Sequence, residues 1–223
     1  MIEARPRLYI DIETHPDTRA GAFDAARARV KAPANYKDPL KINAYIEAQA
    51  AEAYARTSLD GAYGEILCIG WAVDDDEPTV TYAEDERELL EDFWRAVDRA
   101  LPELAEPVWI GHNVREFDLR FLWQRCVVRN VWPTRRIPYD VSPHDASVID
   151  TMQLWTGSPR ERVSLDTILQ ALDIPTAGMG GGDVWPMLQE GRLQEILDYC
   201  AYDVNTVRLA ADRMLRVRQS ERL

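Results

Sequence analysis

The alternation of apolar and acidic residues near the start of the chain constrains its structure more than any other feature. It occupies the run Tyr9-Ile10-Asp11-Ile12-Glu13-Thr14. Residues two apart on a β-strand point to the same face, so Asp11 and Glu13 are expected side by side at the end of a strand. Adjacent carboxylates repel each other and are tolerated best around a hard cation such as Mg²⁺ or Mn²⁺. A half-exposed edge strand with its polar face in water fits the same pattern, so the run alone leaves both interpretations open.

Size and charge narrow the class of protein. A chain of 223 residues is long enough for one full core, and we expect a single domain over residues 1–223. Its hydrophobic (46%) and charged (29%) fractions are typical of a globular protein in water. The net charge of −12 argues against non-specific coating of nucleic acid, because proteins that do this are usually basic. A nucleic-acid enzyme remains open if metals neutralise its acidic site and local basic patches contact phosphates.

The cysteines and the hydropathy exclude several other classes. Cys68, Cys126 and Cys200 are widely spaced and form no CxxC pair, so we expect neither a disulfide framework nor a zinc site. Each lies among apolar neighbours and is expected to be a small core residue. No apolar run approaches membrane-spanning length and no signal-peptide pattern begins the chain, so the expected location is cytoplasmic.

Hydrophobic periodicity predicts five strands and several flanking helices. The strands are expected at 7–12, 65–73, 79–82, 108–110 and 147–149. The helices are expected at 20–30, 41–56, 85–101, from about 117, at 165–172 and at 192–216. This order indicates an α/β fold around a mixed sheet, with a helical insertion at about 20–60 after the first strand.

All lysines of the protein, Lys31, Lys37 and Lys41, fall in this insertion. One interpretation is a solvated helical segment. The other is a basic arm that contacts phosphates, with Tyr36 available to stack on a base.

Three more candidate residues lie on predicted helices. Asp118 is expected in the first turns of the fourth helix, where the helix dipole alone can explain a carboxylate. Tyr199 and Asp203 are an i,i+4 pair on one edge of the apolar stripe of the last helix, about 40° apart. Tyr199 also fits a tyrosine at the edge of the core. Asp203 is harder to explain without a ligand, because an unpaired buried carboxylate is costly.

Three short motifs occur in order along the chain: Asp11–Thr14 after an apolar strand, Asn113–Asp118, and Tyr199–Asp203. They resemble the motifs of the DnaQ-like, or DEDD, superfamily of 3′–5′ exonucleases, in its tyrosine subclass. The form Tyr-Cys-x-x-Asp-Val, and Ser164-Leu165-Asp166 before a leucine-rich helix, resemble in particular predicted exonucleases related to the proofreading domain of family-B DNA polymerases. The insertion departs from the compact core of that superfamily.

The resemblance implies a ribonuclease H-like fold and a site for two divalent metal ions, Mg²⁺ or Mn²⁺. It implies that Asp11 bridges both metals, that Glu13 and Asp203 complete the site of the metal that activates water, and that Asp118 holds the second metal. Two metals about 4 Å apart stabilise the attacking and leaving oxygens of a phosphodiester. Tyr199 is expected to orient the water, because a phenol with a pKa near 10 is a poor base at pH 7.

The function expected from the resemblance is hydrolysis at DNA 3′ ends, acting in proofreading or repair, with a single-stranded DNA 3′ end as partner and a polymerase or repair complex as a further one. An exoribonuclease of the same superfamily is the first alternative. The 2′-hydroxyl distinguishes RNA from DNA, and no residue of the sequence is identified as contacting it. The second alternative is a catalytically idle module that binds a nucleic-acid end or a protein. For His112, beside Asn113 at a strand–helix junction, a structural role competes with a substrate contact. The expected substrate-binding residues are Thr14, His112, Asn113, Lys31, Lys37 and Lys41.

Overall fold

A five-stranded mixed sheet forms the centre of the computed structural model, which describes residues 5–220. The strands lie in the order β3-β2-β1-β4-β5. β2 is antiparallel to β1 and β3, whereas β4 is parallel to β1 and β5. Their bounds are β1 Arg7–His15, β2 Glu65–Val73, β3 Thr79–Tyr82, β4 Val108–Gly111 and β5 Val148–Asp150. The mixed α/β sheet expected from periodicity is therefore confirmed.

Eight α-helices accompany the sheet in the described part of the chain. The first two, α1 and α2, belong to the insertion after β1, and a 3₁₀ turn at Arg56–Leu59 follows them. The other six follow β3. The helices are α1 Ala22–Arg29, α2 Pro39–Ala55, α3 Glu86–Ala100, α4 Asp118–Arg129, α5 Thr151–Thr156, α6 Leu165–Ala171, α7 Val184–Gln189 and α8 Leu193–Ser220.

The two faces of β1 pack against different helices because its side chains alternate. One row of side chains joins the main core, which α3 and α4 cover: Leu8, Ile10 and Ile12. The other row begins with Tyr9, which packs with Val204 of α8. Asp11 and Glu13 continue this second row, so they project on the side of the sheet that α8 covers.

β1 is longer than the sequence predicts. It continues past residue 12 to His15, because β2 still pairs with it beyond an irregularity between Glu13 and Thr14. Such a bulge adds local twist to a strand and redirects the side chains around it. It lies here at the end of β1 that carries the two acidic residues.

Short polar residues begin several helices by accepting backbone N–H bonds. Asp85 accepts from Glu88 at the start of α3, and Ser164 accepts from Thr167 at the start of α6. Asp150 caps α5, a helix of six residues that periodicity does not predict. A helix of this length presents too few apolar positions to show a period.

Two glycines allow close approach at the centre of the molecule. A Cβ at Gly70 of β2 would lie 2.8 Å from the Cys200 sulfur and 2.9 Å from the side chain of Val204. A Cβ at Gly111 would lie 2.7 Å from Val114. Gly70 therefore lets α8 lie directly on the sheet, and Gly111 lets the chain turn sharply from β4 toward α4.

The helices formed by residues 5–220 were compared with the length and apolar character of a membrane-spanning helix. None of the helices there combines the length and the apolar character needed to cross a bilayer.

Candidate active site

A cavity of about 190 Å³ lies beside the end of β1. Side chains from β1, the 3₁₀ turn, the start of α4 and the middle of α8 surround it. It brings together the five residues for which the sequence predicts a catalytic role, although they are up to 192 positions apart (203 − 11). The lining residues are Asp11, Ile12, Glu13, Thr14, Ser58, Leu59, His112, Phe117, Asp118, Gly181, Tyr199 and Asp203.

β1 contributes the first pair of carboxylates. Asp11 is partly buried, and Glu13 is 6% exposed. They share one face of the strand because they are two residues apart. On the neighbouring strand, Gly70 lies opposite Asp11 and Cys68 lies opposite Glu13, so neither carboxylate meets a basic partner across the ladder.

Asp118 reaches the cavity from α4, of which it is the first residue. Its side chain is buried, and its Oδ1 accepts a hydrogen bond of 3.1 Å from the backbone amide of Ile12. This bond joins the second motif directly to the strand that carries the first one. The helix-dipole explanation for this carboxylate is therefore incomplete, because Asp118 also points to the acidic end of β1.

α8 contributes Tyr199 and Asp203, which lie one turn apart and both line the cavity. The interaction with the Tyr199 hydroxyl partly offsets the effect of burial on the pKa of Asp203. Burial and then the neighbouring Asp203 and Glu13 carboxylates raise the pKa of Tyr199 well above its usual value. The phenol therefore keeps its proton at neutral pH, so Tyr199 can donate a hydrogen bond but cannot act as a general base.

Burial raises the pKa values of all four carboxylates, and the charge of a neighbouring carboxylate raises each of them further, which for Asp203 is that of Asp166. Burial, followed by the charge of Asp203, raises the pKa of Asp11 to about 7. Burial also raises the pKa of Asp203, to about 6. For Glu13 and Asp118, burial and then the charge of Asp11 raise the pKa well above the usual range. Each group favours a proton or a cation beside it at neutral pH.

Hard divalent cations fit this set of residues. None of the ion pairs formed by residues 5 to 218 involves the four carboxylates, so no basic side chain neutralises them. Carboxylate oxygens are the preferred ligands of Mg²⁺ and Mn²⁺. Ligand atoms of Asp11, Glu13 and Cys200 all lie within 4.8 Å of one another, which is a spacing that one ion can occupy. The Asp11 and Glu13 carboxylates are therefore close enough to hold one metal ion between them.

Cys200 is a site residue that the sequence interpretation missed. It is fully buried, as expected for a core cysteine, but its sulfur also lies 3.6 Å from Asp11 Oδ2 and 3.7 Å from the Asp11 carbonyl oxygen. A hydrogen bond with Cys68 and burial raise the pKa of the Cys200 thiol. The protonated thiol therefore donates to Asp11 from beneath the site. No local pattern in the sequence indicates this contact, because it joins residues 189 positions apart.

His112 and Asn113 are held by the protein itself. The two ring nitrogens of His112 hydrogen bond to Thr151 Oγ1 at 3.0 Å and to the Val163 carbonyl at 2.9 Å. Burial lowers the pKa of His112, so the ring is neutral at pH 7. A polar contact between His112 and a substrate requires one of these bonds to break. Asn113 does not line the cavity; its φ is +58°, and its Oδ1 accepts from Arg162.

Asp150 has a structural role. Its carboxylate accepts hydrogen bonds from the backbone amides of Asn113 and Arg115 as well as from the start of α5. It therefore fixes the turn that leads from β4 to Asp118.

Of the four other residues expected to contact the substrate, one lines the cavity and three lie away from it. Thr14 lines the cavity, and its hydroxyl donates a hydrogen bond of 2.8 Å to the carbonyl of Ser58 in the insertion. Lys31, Lys37 and Lys41 are exposed on the loop before α2 and on its first turn, and none of them lines the cavity.

Comparisons with known proteins agree with this architecture. The structure is similar to that of the family B DNA polymerase from the hyperthermophilic archaeon Pyrobaculum calidifontis, with a TM-score of 0.58 and 16% sequence identity. The match covers 95% of this chain and only 25% of the polymerase, so the chain spans a quarter of that protein. At this identity, the likeness shows a shared fold. No curated protein matches the chain.

A family model matches more than half of the chain. It covers residues 71–214, which include Asp118, Tyr199 and Asp203 but not Asp11, Glu13 or the insertion. The family is described as "predicted 3'-5' exonuclease related to the exonuclease domain of PolB". The chain therefore belongs to this family of predicted 3′–5′ exonucleases.

Proposed function

We propose that this protein is a metal-dependent 3′–5′ exonuclease that releases nucleotides from DNA 3′ ends. The observation that carries the proposal is the convergence of four buried or partly buried carboxylates without basic partners: Asp11, Glu13, Asp118 and Asp203. Structural carboxylates in a protein interior are normally paired with a cation or a donor. A set that repels itself is the arrangement expected of a divalent-metal site.

Each carboxylate has a distinct proposed role. Asp11 would be the bridging ligand, because its charge raises the pKa of both Glu13 and Asp118 and it lines the same cavity as both. Glu13 and Asp203 complete one metal site, and Asp118 completes the other. Two divalent ions supply charge stabilisation to the attacking and leaving oxygens of the phosphodiester when they are bound.

Tyr199 is the proposed positioning group for the attacking water. Its phenol stays protonated at neutral pH, and it lies one helical turn from Asp203, a proposed metal ligand that lines the same cavity. It can orient a water molecule but cannot remove its proton. A bound divalent metal would lower the pKa of the attacking water, and the proton would leave to solvent rather than to Tyr199.

DNA is the proposed polymer because the family is related to the exonuclease domain of a DNA polymerase. A role beside a polymerase, in proofreading or in repair, is part of the same proposal. The proposed contacts along the substrate are Thr14 and Asn113 near the site and the three lysines of the insertion farther along the strand. We propose that residues 1–223 form a single exonuclease domain.

Degradation of 5′-labelled oligonucleotides tests the proposal. The wild-type protein should shorten DNA stepwise from the 3′ end with Mg²⁺ or Mn²⁺ and be inactive with a chelator. Asp11→Ala and Asp203→Ala should each lower the rate by about 10³-fold or more while leaving the fold intact, because each removes a metal ligand. Asp198→Ala is the matched control, since Asp198 is an exposed carboxylate on the same helix.

The outcome that contradicts the proposal is equal degradation by the wild-type and both site variants. An RNA oligonucleotide of the same sequence distinguishes the two polymers. Faster degradation of RNA than of DNA would assign the enzyme to the exoribonucleases.

A further inference from the structure

Cys200 adds a ligand of a different chemical class to the acidic end of β1. Its sulfur lies 3.6 Å from Asp11 Oδ2, and ligand atoms of Cys200, Asp11 and Glu13 all lie within 4.8 Å of one another. The cysteine is fully buried on α8, whereas both carboxylates line the cavity. The metal sites proposed above use oxygen ligands alone, so this sulfur has no part in them.

Glu13 is a member of this group that has no partner of its own. Its side chain is only 6% exposed, and it lines the cavity. Among residues 5 to 218, no side chain or backbone amide forms a hydrogen bond or an ion pair with its carboxylate. A carboxylate buried to this degree normally has a donor or a cation beside it. Glu13 therefore indicates a missing ligand on the side where Asp11 and Cys200 lie.

The distance between the sulfur and the Asp11 oxygen matches a tetrahedral zinc site. Zn²⁺ binds thiolate sulfur at about 2.3 Å and carboxylate oxygen at about 2.0–2.2 Å, so tetrahedral angles place the two ligand atoms about 3.5–3.7 Å apart. The distance from the Cys200 sulfur to Asp11 Oδ2 is 3.6 Å. The thiol proton lies between these atoms in the metal-free protein. An ion that binds both atoms must displace this proton.

The mixed ligand set favours a different ion from the catalytic pair. Thiolate ligands select Zn²⁺ over Mg²⁺, and Zn²⁺ also binds a given site more tightly than Mn²⁺ does. Within the described part of the chain, the group contains Asp11, Glu13 and Cys200 but not Asp203, which is a proposed catalytic ligand. An ion held by the sulfur therefore occupies Asp11 and Glu13 without completing the catalytic site.

We propose that Asp11, Glu13 and Cys200 form a binding site for a thiophilic divalent ion, Zn²⁺, and that this ion excludes the catalytic metals. Binding breaks the S–H bond of Cys200, forms a bond from sulfur to zinc and releases the proton to solvent, with no change of oxidation state. The site differs from those with CxxC spacing because its ligands are up to 189 positions apart. Zinc binding is independent of the function proposed above, whereas the exclusion of catalytic metals rests on it.

Cobalt substitution tests the site without a measurement of activity. Co²⁺ can replace Zn²⁺ in tetrahedral sites, and its bond to a thiolate gives a charge-transfer absorption that oxygen ligands do not give. The wild-type protein should show this absorption with Co²⁺ and lose it when Zn²⁺ displaces the cobalt. Cys200→Ser should not show it. Asp203→Asn should keep it, because Asp203 lies outside the group.

Competition with a chromogenic chelator measures the affinity for Zn²⁺. Cys200→Ser should bind Zn²⁺ more than about 100-fold more weakly, because the loss of a group that only supports a ligand already costs about 10–100-fold. The serine hydroxyl can still donate to Asp11, so the affinity for Mn²⁺ should change far less. Circular dichroism shows whether the variant is folded.

Cys126→Ser is the matched control. Cys126 is also buried, but it packs in the main core with residues of α3 and α4. This variant should keep both the cobalt absorption and the wild-type affinity for Zn²⁺.

The degradation assay tests the exclusion of catalytic metals. In the presence of Mg²⁺, Zn²⁺ in slight excess over the protein should stop degradation by the wild type, and a zinc chelator should restore it. Cys200→Ser should keep its own zinc-free rate at this Zn²⁺ concentration. Unchanged or faster degradation by the wild type with Zn²⁺ would overturn the exclusion.

The failure of the zinc site and the failure of the proposed function give different results. Wild-type protein that degrades DNA but shows no sulfur-to-cobalt absorption would overturn the inference and leave the function intact. The same holds if Cys200→Ser binds Zn²⁺ as tightly as the wild type. Sulfur-to-cobalt absorption in a protein that degrades no DNA with Mg²⁺ or Mn²⁺ would overturn the function and support the zinc site.

Discussion

At the scale of a single residue, Asp11 shows how burial and neighbouring carboxylates make a negative charge unfavourable at the candidate site. Its carboxylate shares the cavity with three others and receives a hydrogen bond from the buried Cys200 thiol. Burial and the charge of Asp203 raise its pKa to about 7, from a usual value of 3.8. The folded, metal-free protein therefore holds a proton at Asp11 under conditions where the unfolded chain does not.

The stability of the metal-free protein should consequently fall as the pH rises. A raised carboxyl pKa gives stability that is complete below the unfolded value of 3.8 and is lost as the pH rises through the folded value, about 6 for Asp203 and about 7 for Asp11. The free energy of unfolding in urea should be at least about 1 kcal/mol lower at pH 8 than at pH 5.5. Added Mn²⁺ should remove this difference at pH 8, since a bound cation replaces the protons.

Asp11→Asn provides the control for this pH dependence. It removes one charge with little change in shape, so the metal-free variant should be more stable than the wild type at pH 8. A wild-type stability that rises between pH 5.5 and pH 8 without metal would contradict the account of these carboxylates.

The approach of α8 to the sheet is the decisive feature at the scale of secondary-structure elements. α8 carries Tyr199, Cys200 and Asp203, and it lies directly over Gly70, where no side chain keeps it away from β2. The helix can therefore bring its residues to the acidic end of β1. The same contact explains why Cys200 reaches Asp11.

Gly70→Ala should separate these elements. The added Cβ would overlap Cys200 and Val204, so we expect a loss of about 1–3 kcal/mol in the free energy of unfolding. Affinity for Mn²⁺, measured by calorimetry, should also fall, because Asp203 moves away from Asp11. In the control Gly182→Ala, the added Cβ meets no atom within 4 Å. A Gly70→Ala protein with unchanged Mn²⁺ affinity would show that the approach of α8 does not position the site.

Local patterns in the sequence predict much of the fold and part of the candidate site. Period-two alternation predicts that Asp11 and Glu13 share a face, and i,i+4 spacing predicts the same for Tyr199 and Asp203. Both follow from the geometry of one element. The contact of Cys200 with Asp11 depends on how closely two elements approach, which no local period encodes. The position of the 3₁₀ turn at Arg56–Leu59 beside the cavity depends on long-range hydrogen bonds. No local pattern therefore predicts it.

The distribution of charge becomes important at the scale of the whole molecule. The protein carries a net charge of −12, yet its proposed substrate is a polyanion. The lysines lie together near the start of α2, and α2 ends next to the 3₁₀ turn at the cavity. At about 1.5 Å per residue, Lys41 lies roughly 20 Å along the helix from that end. A strand can contact the lysines only through nucleotides well upstream of its 3′ terminus.

Replacement of Lys31, Lys37 and Lys41 by alanine should therefore weaken binding in a length-dependent manner. Affinity for a long oligonucleotide should fall, and its dependence on salt concentration should become less steep, because fewer phosphate counterions are released. Affinity for a trinucleotide should not change. Fluorescence anisotropy at several salt concentrations measures both effects.

A triple arginine variant controls for the loss of positive charge. Arg87, Arg95 and Arg136 are surface arginines in ion pairs with neighbouring acidic residues, so their replacement by alanine changes the net charge equally. An unchanged salt dependence in the lysine variant, or an equal change in both variants, would argue against a basic arm.

The most direct test of the central claim is a crystal of this protein soaked in Mn²⁺ and measured for anomalous scattering. The account predicts anomalous peaks in the cavity, with oxygen ligands from all four carboxylates: Asp11, Glu13, Asp118 and Asp203. Ordered carboxylates that point away from one another, with no manganese peak between them, would contradict it.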